Sequence, residues 1–556
     1  MTESTSGSWG TWPRAIGIAG VIGVGGTLGY YFYQNRARAA EEAKRLESDP
    51  DNLKVQGNLL FKSKEYDAAL AKFNLAIACN PKDDKLKAVC YQNMAAVHEI
   101  KGDSASCLDA CNHALNIDKL YAKAIARRSR CFKVMGKVDE YLEDALSAVA
   151  AGKMESLKAE VHEILAKKAV KAYEVRLDKY DNRRIPISPT VMNFWAFNSL
   201  TRDPVVNLMK KASLEGEEED ERVFAECLKK IKDEDVNSLL DIILPTTEKE
   251  NFPYLFESLL FAARLYNFHG DQVNARKYLE KCEAMWNNGG EEQQKEWMDC
   301  RVSVELLKII MSADAREQDS LLLNAKEIDE GNADIYIVAG LGAIDVNDHI
   351  KATALFEKAQ EKCPESPCAR SHLAFTIALS ALVSGDMAAM HRSILNMETL
   401  CTELEEAYPH ANLLIGRLYL LCSSMKEAEK HFEKAKAAMP TSGMAHFMAA
   451  ISSVNMDGSK EPSQEALKKA KESLERVTEL DPYYSATYSV LGRLNMQLKE
   501  FELAMESLDR GISVSSNQQE YFVLYIERTL LDYSLKVAKR LDMPTEAVVD
   551  CITGRK

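Results

Sequence analysis

Thirteen cysteines are scattered through these 556 residues, yet no two form a Cys-x-x-Cys pair and no regular spacing links them. A secreted disulfide scaffold is thereby excluded, and dispersed thiols in a long chain fit a reducing, cytosol-facing compartment. A basic excess is absent as well. The formal charge is −14, whereas a nucleic-acid binder needs a broad basic surface. Nucleophile elbow, P-loop, GxGxxG and HExxH are all missing, and each is the signature of a catalytic or cofactor-binding chemistry. No enzyme and no cofactor are expected, and any unrecognised active site would have to lie within 180–330. The folded class is nevertheless clear, because 46% apolar and 28% charged residues describe a packed chain.

One uncharged run stands out, Ala15 to Tyr33, after a short tail over 1–14. Its 19 residues suffice for a bilayer-crossing helix, and its tyrosines sit at one end, where interfacial aromatics belong. Arg36, Arg38, Lys44 and Arg45 follow it, against Arg14 alone on the other side. The positive-inside rule then places the C-terminal bulk in the cytosol. No basic n-region precedes the run, which argues against a cleaved signal peptide. Gly25 and Gly29 form a GxxxG, a spacing that permits a homodimer through close helix approach. A charged, Ala-rich stalk over 34–50 comes next.

From residue 51 onward the chain repeats itself. Ala69-x3-Phe73-x2-Ala76-x4-Pro81, preceded by Gly57, places small residues where two helices cross, an aromatic in the gap and a proline at the end. The pattern recurs with Gly340, Ala352, Phe356, Ala359 and Pro364, and with Gly416, Tyr419, Ala428, Phe432, Ala435 and Pro440. A further copy carries Gly492, Ala504, Leu508 and Gly511. Weaker copies fill the gaps, and positions 107 and 141, 318 and 352, and 470 and 504 are each 34 residues apart. This is the tetratricopeptide period, and it predicts an all-α helical solenoid behind an N-terminal transmembrane helix. Cys107-x3-Cys111-x-His113 has the look of a metal site, but 107 and 111 are small buried repeat positions that a free cysteine fills, so no metal is expected.

Two prolines and a charge run in Lys179–Pro189, and the acidic patch Glu215–Glu221, interrupt the pattern. They divide the chain into a first repeat block over 51–175, a linker and irregular region over 176–248, and a longer array over 249–556. The helical stretch Gln518–Leu541 is suited to capping the open end of that array.

Within the first block, Lys54 and Asn58 are four residues apart, as are Lys123 and Arg127, so each pair shares a helix face. Asn93 lies in the intervening repeat. All five occupy first-helix positions, which line the inner side of such a stack, and cations with amides there can hold a carboxylate by charge-assisted hydrogen bonds. Here the sequence resembles the two-carboxylate clamp of co-chaperone tetratricopeptide domains. The resemblance implies that Asn58, Asn93 and Lys54 grip a terminal carboxylate, while Lys123 and Arg127 meet the last aspartate and its neighbourhood. The implied ligand is the Glu-Glu-Val-Asp tail of cytosolic heat-shock chaperones of the 70 and 90 kDa classes.

The second array has no equally sharp motif. Its inward first-helix positions include His410, Leu413, Arg417, Leu420 and Arg493, which together suggest a mixed apolar and cationic groove for a protein segment. Anchor, clamp-bearing repeats and a second array in this order resemble the large tetratricopeptide receptors of the mitochondrial outer-membrane protein translocase. That likeness implies chaperone docking by the first block, capture of unfolded carrier-type precursors with internal signals by the second, and association with other translocase subunits at the mitochondrial outer membrane. A chaperone-recruiting scaffold on another membrane, such as the endoplasmic reticulum, is the alternative.

Overall fold

The structure is a computed structural model that describes residues 34–36, 38, 45, 48–79, 83–152, 154–179, 184–198, 200–212, 219–312, 314–452 and 463–554. The expected anchor over 15–33 and the tail before it lie outside the described residues. Among the described residues no helix is long and apolar enough to cross a membrane. All regular structure there is helical, without a strand, as the 34-residue period predicts. Two compact units emerge, one formed by 1–164 with 532–556 and the other by 165–531.

Among the described residues the first unit holds three hairpins: α1 (Pro50–Lys62) with α2 (Tyr66–Ala78), α3 (Asp84–Ile100) with α4 (Ser104–Ile117), and α5 (Ala122–Val134) with α6 (Val138–Gly152). Their pairing follows from side-chain volume. A Cβ on Gly57 would sit 2.6 Å from the Phe73 ring, so the first helix carries no side chain where the second inserts its aromatic. Gly416 and Phe432 repeat the device in the second unit at 2.5 Å. Cys107 and Cys111 are fully buried small residues at the α3/α4 crossing. His113 stacks on Tyr91 instead of joining them, and no metal-binding group of residues occurs among those described.

The C-terminal stretch departs from its expected place. From Asp532 onward it belongs to the first unit, so the helix Gln518–Leu541 is not simply a lid on the second array. Tyr533 donates to Asp139 of α6 at 2.7 Å, and Arg540 meets Glu143 and Asp144 at 3.0 and 2.8 Å. The helix Thr545–Thr553 also packs on α6. The reason is apolar cover. Tyr141, Leu142, Leu146 and Val149 of α6 are buried, as are Val537, Leu541, Val548 and Val549 of the C-terminal stretch. Removing such area from water is the main favourable term in packing.

The second unit contains hairpins that run from Leu255–Phe268 with Gln272–Asn288 to Ser485–Gln497 with Phe501–Val514. The region 176–248 is not the linker its prolines suggested. It carries helices Pro189–Asn198, Pro204–Lys211, Glu219–Lys232 and Leu239–Ile243. Pro189 and Pro204 stand at first helical positions, where a missing N–H costs nothing. Ile187, Met192, Trp195, Val205, Phe224 and Ile231 share one core with Phe256, Phe261 and Val304. Of the acidic patch, 215–218 lie outside the described residues, whereas Glu221 accepts a hydrogen bond from Tyr254 at 2.7 Å.

Ile185 and Trp195 face His269 and Phe261, but the other contacts from Ser188 to Asp203 run against the repeat order. Ser188 and the Thr190 amide both donate to Asp481, at 2.5 and 3.0 Å. Thr190 also fills the space where Gly443 lacks a Cβ. Phe194 then meets the His410 ring edge-on at 5.6 Å. Thr201 and the Arg202 amide bond to Asp334 at 2.7–2.8 Å, while the Arg202 guanidinium pairs with Asp299 and Asp329. Finally Asp203 pairs with Arg264 at 3.0 Å. Partners at 481, 443, 410, 334 and 264 are thus met in descending order as the segment ascends. It is an internal strut laid along the first-helix ends of the array.

Candidate functional site

The predicted clamp residues lie on α1, α3 and α5, the first helices of three consecutive hairpins. Local sequence sets each helix. Asp49 accepts from the Asn52 amide at 3.1 Å with Pro50 at the first position, and Asp83 accepts from the Lys85 amide at 2.9 Å. Each helix turns its apolar stripe to the core: Leu53 and Gly57 on α1, Cys90, Ala95 and Val97 on α3, Ala124, Ile125 and Cys131 on α5. Lys54, Asn58, Asn93 and Arg127 stand at the edge of those stripes, half-buried, and Lys123 is exposed.

Two of the five meet directly. Asn93 donates through Nδ2 to Asn58 Oδ1 at 2.9 Å, which ties α3 to α1. Lys54 points its ammonium at Asp51 of its own helix, 2.8 Å away. Arg127 reaches back to α3, donating to the Gln92 carbonyl at 3.3 Å and to Glu99 at 2.7 Å. The Tyr121 hydroxyl also bonds to the Gln92 side chain. Among the described residues, Lys123 makes no ion pair. The packed α1–α3 and α3–α5 pairs set these helices side by side.

Glu99, which the repeat pattern gave no reason to single out, is central to the charge balance. Its two oxygens hold Arg127 at 2.7 Å and Arg130 at 2.6 and 3.2 Å. Burial pushes the Glu99 carboxyl up, but Arg130 and Arg127 outweigh it and keep it below its ordinary value. Behind this face, Arg128 grips buried Asp144 through two bonds of 2.6 and 2.9 Å and Asn112 through a third. No single-helix pattern could reveal Glu99, since two arginines on α5 and one carboxylate on α3 meet only after packing.

The groove expected in the second array is largely filled. Leu413 packs in the core. His410 is buried beneath Phe194 and Tyr408, and burial, with His372 nearby, pushes it down to about 4. Both face the protein interior, Leu413 within the repeat core and His410 under the Phe194 of the strut. Arg417 remains exposed, its guanidinium 5.4 Å above the Phe375 ring. Leu420 is partly buried. Arg493 is half-exposed, bonded to Ser489 and 3.8 Å from Glu527.

No family model matches this sequence. Along nearly its whole length, however, it is similar to the Caenorhabditis elegans mitochondrial import receptor subunit tomm-70, with 25% identity covering 98% of this chain and all of that one. The chain is similar to these receptors. The human mitochondrial import receptor subunit TOM70 is 22% identical over 88% of this chain and 79% of its own length. Among solved structures, the crystal structure of yeast Tom70 superposes with a TM-score of 0.44 and 18% identity, covering 88% of this chain and 96% of that one.

Proposed function

We propose that this protein is an import receptor of the mitochondrial outer membrane, anchored there through residues 15–33 with its repeats in the cytosol. The first unit docks heat-shock chaperones of the 70 and 90 kDa classes by their acidic C-terminal tails, using Lys54, Asn58, Asn93, Lys123 and Arg127. The second unit receives the unfolded, carrier-type precursor, which is then handed to other translocase subunits. The work is capture and release, without a covalent step. Similarity to import receptors along nearly the whole chain supports the receptor role. The observation that carries the docking role is the Asn58–Asn93 hydrogen bond. It sets two amides from successive first helices side by side, as a terminal carboxylate needs.

Hydrogen bonds to a charged group contribute about 1.5–3 kcal/mol each, and ordering a flexible tail offsets much of that. A micromolar affinity, roughly −8 kcal/mol, follows, and salt should weaken it. Anisotropy titration of a labelled peptide ending in Glu-Glu-Val-Asp tests the site. Asn93→Ala and Lys123→Ala should each weaken binding about five-fold or more while leaving helicity unchanged. Titrations that match the wild type for both variants would sink the docking role. For the second unit, Arg417, Leu420 and Arg493 are the groove residues a precursor can still reach. A photocrosslinker at Arg417 should capture a hydrophobic precursor, and one at buried His410 should not. The membrane is tested by imaging a fusion of residues 1–60 to a fluorescent protein.

A further inference from the structure

Apart from Lys123, the docking pocket is charge-compensated before any ligand arrives. Lys54 faces Asp51, the two amides bond to each other, and Arg127 is engaged by Glu99. Resting on the docking role proposed above, we infer that Glu99 is an internal competitor for the acidic ligand, so that binding exchanges Glu99 for a ligand carboxylate on Arg127.

The geometry allows this exchange without stranding a charge. Glu99 makes two bonds to Arg130 that do not involve Arg127. Arg130 is about half-exposed, more open than Arg127. When a ligand takes Arg127, Glu99 is retained by Arg130 towards solvent. Arg127 meanwhile stays oriented through its bond to the Gln92 carbonyl on α3, the residue before Asn93. A carboxylate that binds without displacing Glu99 instead meets a like charge across one guanidinium, which costs affinity.

The exchange has a consequence for ligand class. Replacing one anion on Arg127 by another adds no net attraction. The gain must come from further carboxylates that reach Lys123, which has no ion-pair partner among the described residues, or Lys54, whose Asp51 partner is well exposed and therefore weakly held. The pocket is thus selective for a C-terminus bearing several carboxylates over one bearing the α-carboxylate alone. Glu99 enforces that threshold.

The test uses the full chain purified in detergent, with labelled peptides ending in Glu-Glu-Val-Asp and Gln-Gln-Val-Asn. Glu99→Gln should tighten the Gln-Gln-Val-Asn peptide by about five-fold and the Glu-Glu-Val-Asp peptide by about two-fold, narrowing the gap between them. In an Arg127→Ala background the same change should have no effect. Arg130→Ala, which removes the group that retains the displaced carboxylate, should weaken binding about two-fold. Wild type that binds while Glu99→Gln binds equally or less well, with an unchanged thermal midpoint, overturns the exchange and leaves the docking role standing. If Glu99→Gln is less stable, the sign of the Arg130→Ala effect decides, since tighter or unchanged binding refutes the proposal. If neither wild type nor Glu99→Gln binds either peptide, the docking role falls and the exchange with it.

Discussion

The two units use the same repeat to opposite ends. On α1, α3 and α5 the polar first-helix positions stay at the edge of the core, within reach of solvent, and their amides and cations are engaged by short-range partners that a ligand can replace. In the second unit the corresponding helix ends are engaged by the chain's own strut. Asp481 and Asp334 are almost fully buried and accept hydrogen bonds from it, and Trp195 lies stacked on Phe261 with Arg264 4.5 Å from its ring. A tetratricopeptide array therefore offers a binding face by default, and whether that face is free depends on what else the chain lays across it.

The sharpest way to break this contrast is to empty the strut. Trp195→Ala removes a ring whose role is packing, since its indole N–H has no partner among the described residues. It should cost about 3–5 kcal/mol, read as an early first transition in urea unfolding, with acidic-peptide binding by the first unit retained. An unmoved transition would mean that the strut is a passenger.

Acid comes next. His372 and His410 are both pushed down to about 4, principally by burial, with Arg417 beside the former and His372 beside the latter. Cys368, Phe356, Tyr408 and Phe194 are their other close neighbours. Both values lie below the ordinary 6.5, so the unfolded chain binds more protons in between. The stability these groups permit is complete above pH 6.5 and is lost as pH falls towards 4, on the order of 3 kcal/mol for each. Thermal midpoints followed from pH 7 to pH 4.5 should fall for the second unit more steeply than for the first.

Asp481→Asn sharpens the comparison at smaller cost. It keeps the volume but weakens the bonds to Ser188 and Thr190, for about 2 kcal/mol. Hydrogen exchange over Pro189–Asn198 should quicken, while α1 to α6 exchange as before.

How much could be read in advance follows from the range of the signal. Residue order alone determined the helical repeat, because small and aromatic positions recur in repeats of about 34 residues and each hairpin is closed by contacts within itself, as between Gly57 and Phe73. It also determined which faces Lys54, Asn58, Lys123 and Arg127 share, since helical spacing is a local rule. Only the packed chain decided that Glu99 joins Arg127 to Arg130 from another hairpin, that residues after Asp532 complete the first unit, and that Ile185–Asp203 is a strut where prolines and charges suggested a linker. Each of these rests on groups tens to hundreds of residues apart. Burial and pairing between such groups depend on which surfaces meet in space, and no local periodicity encodes that.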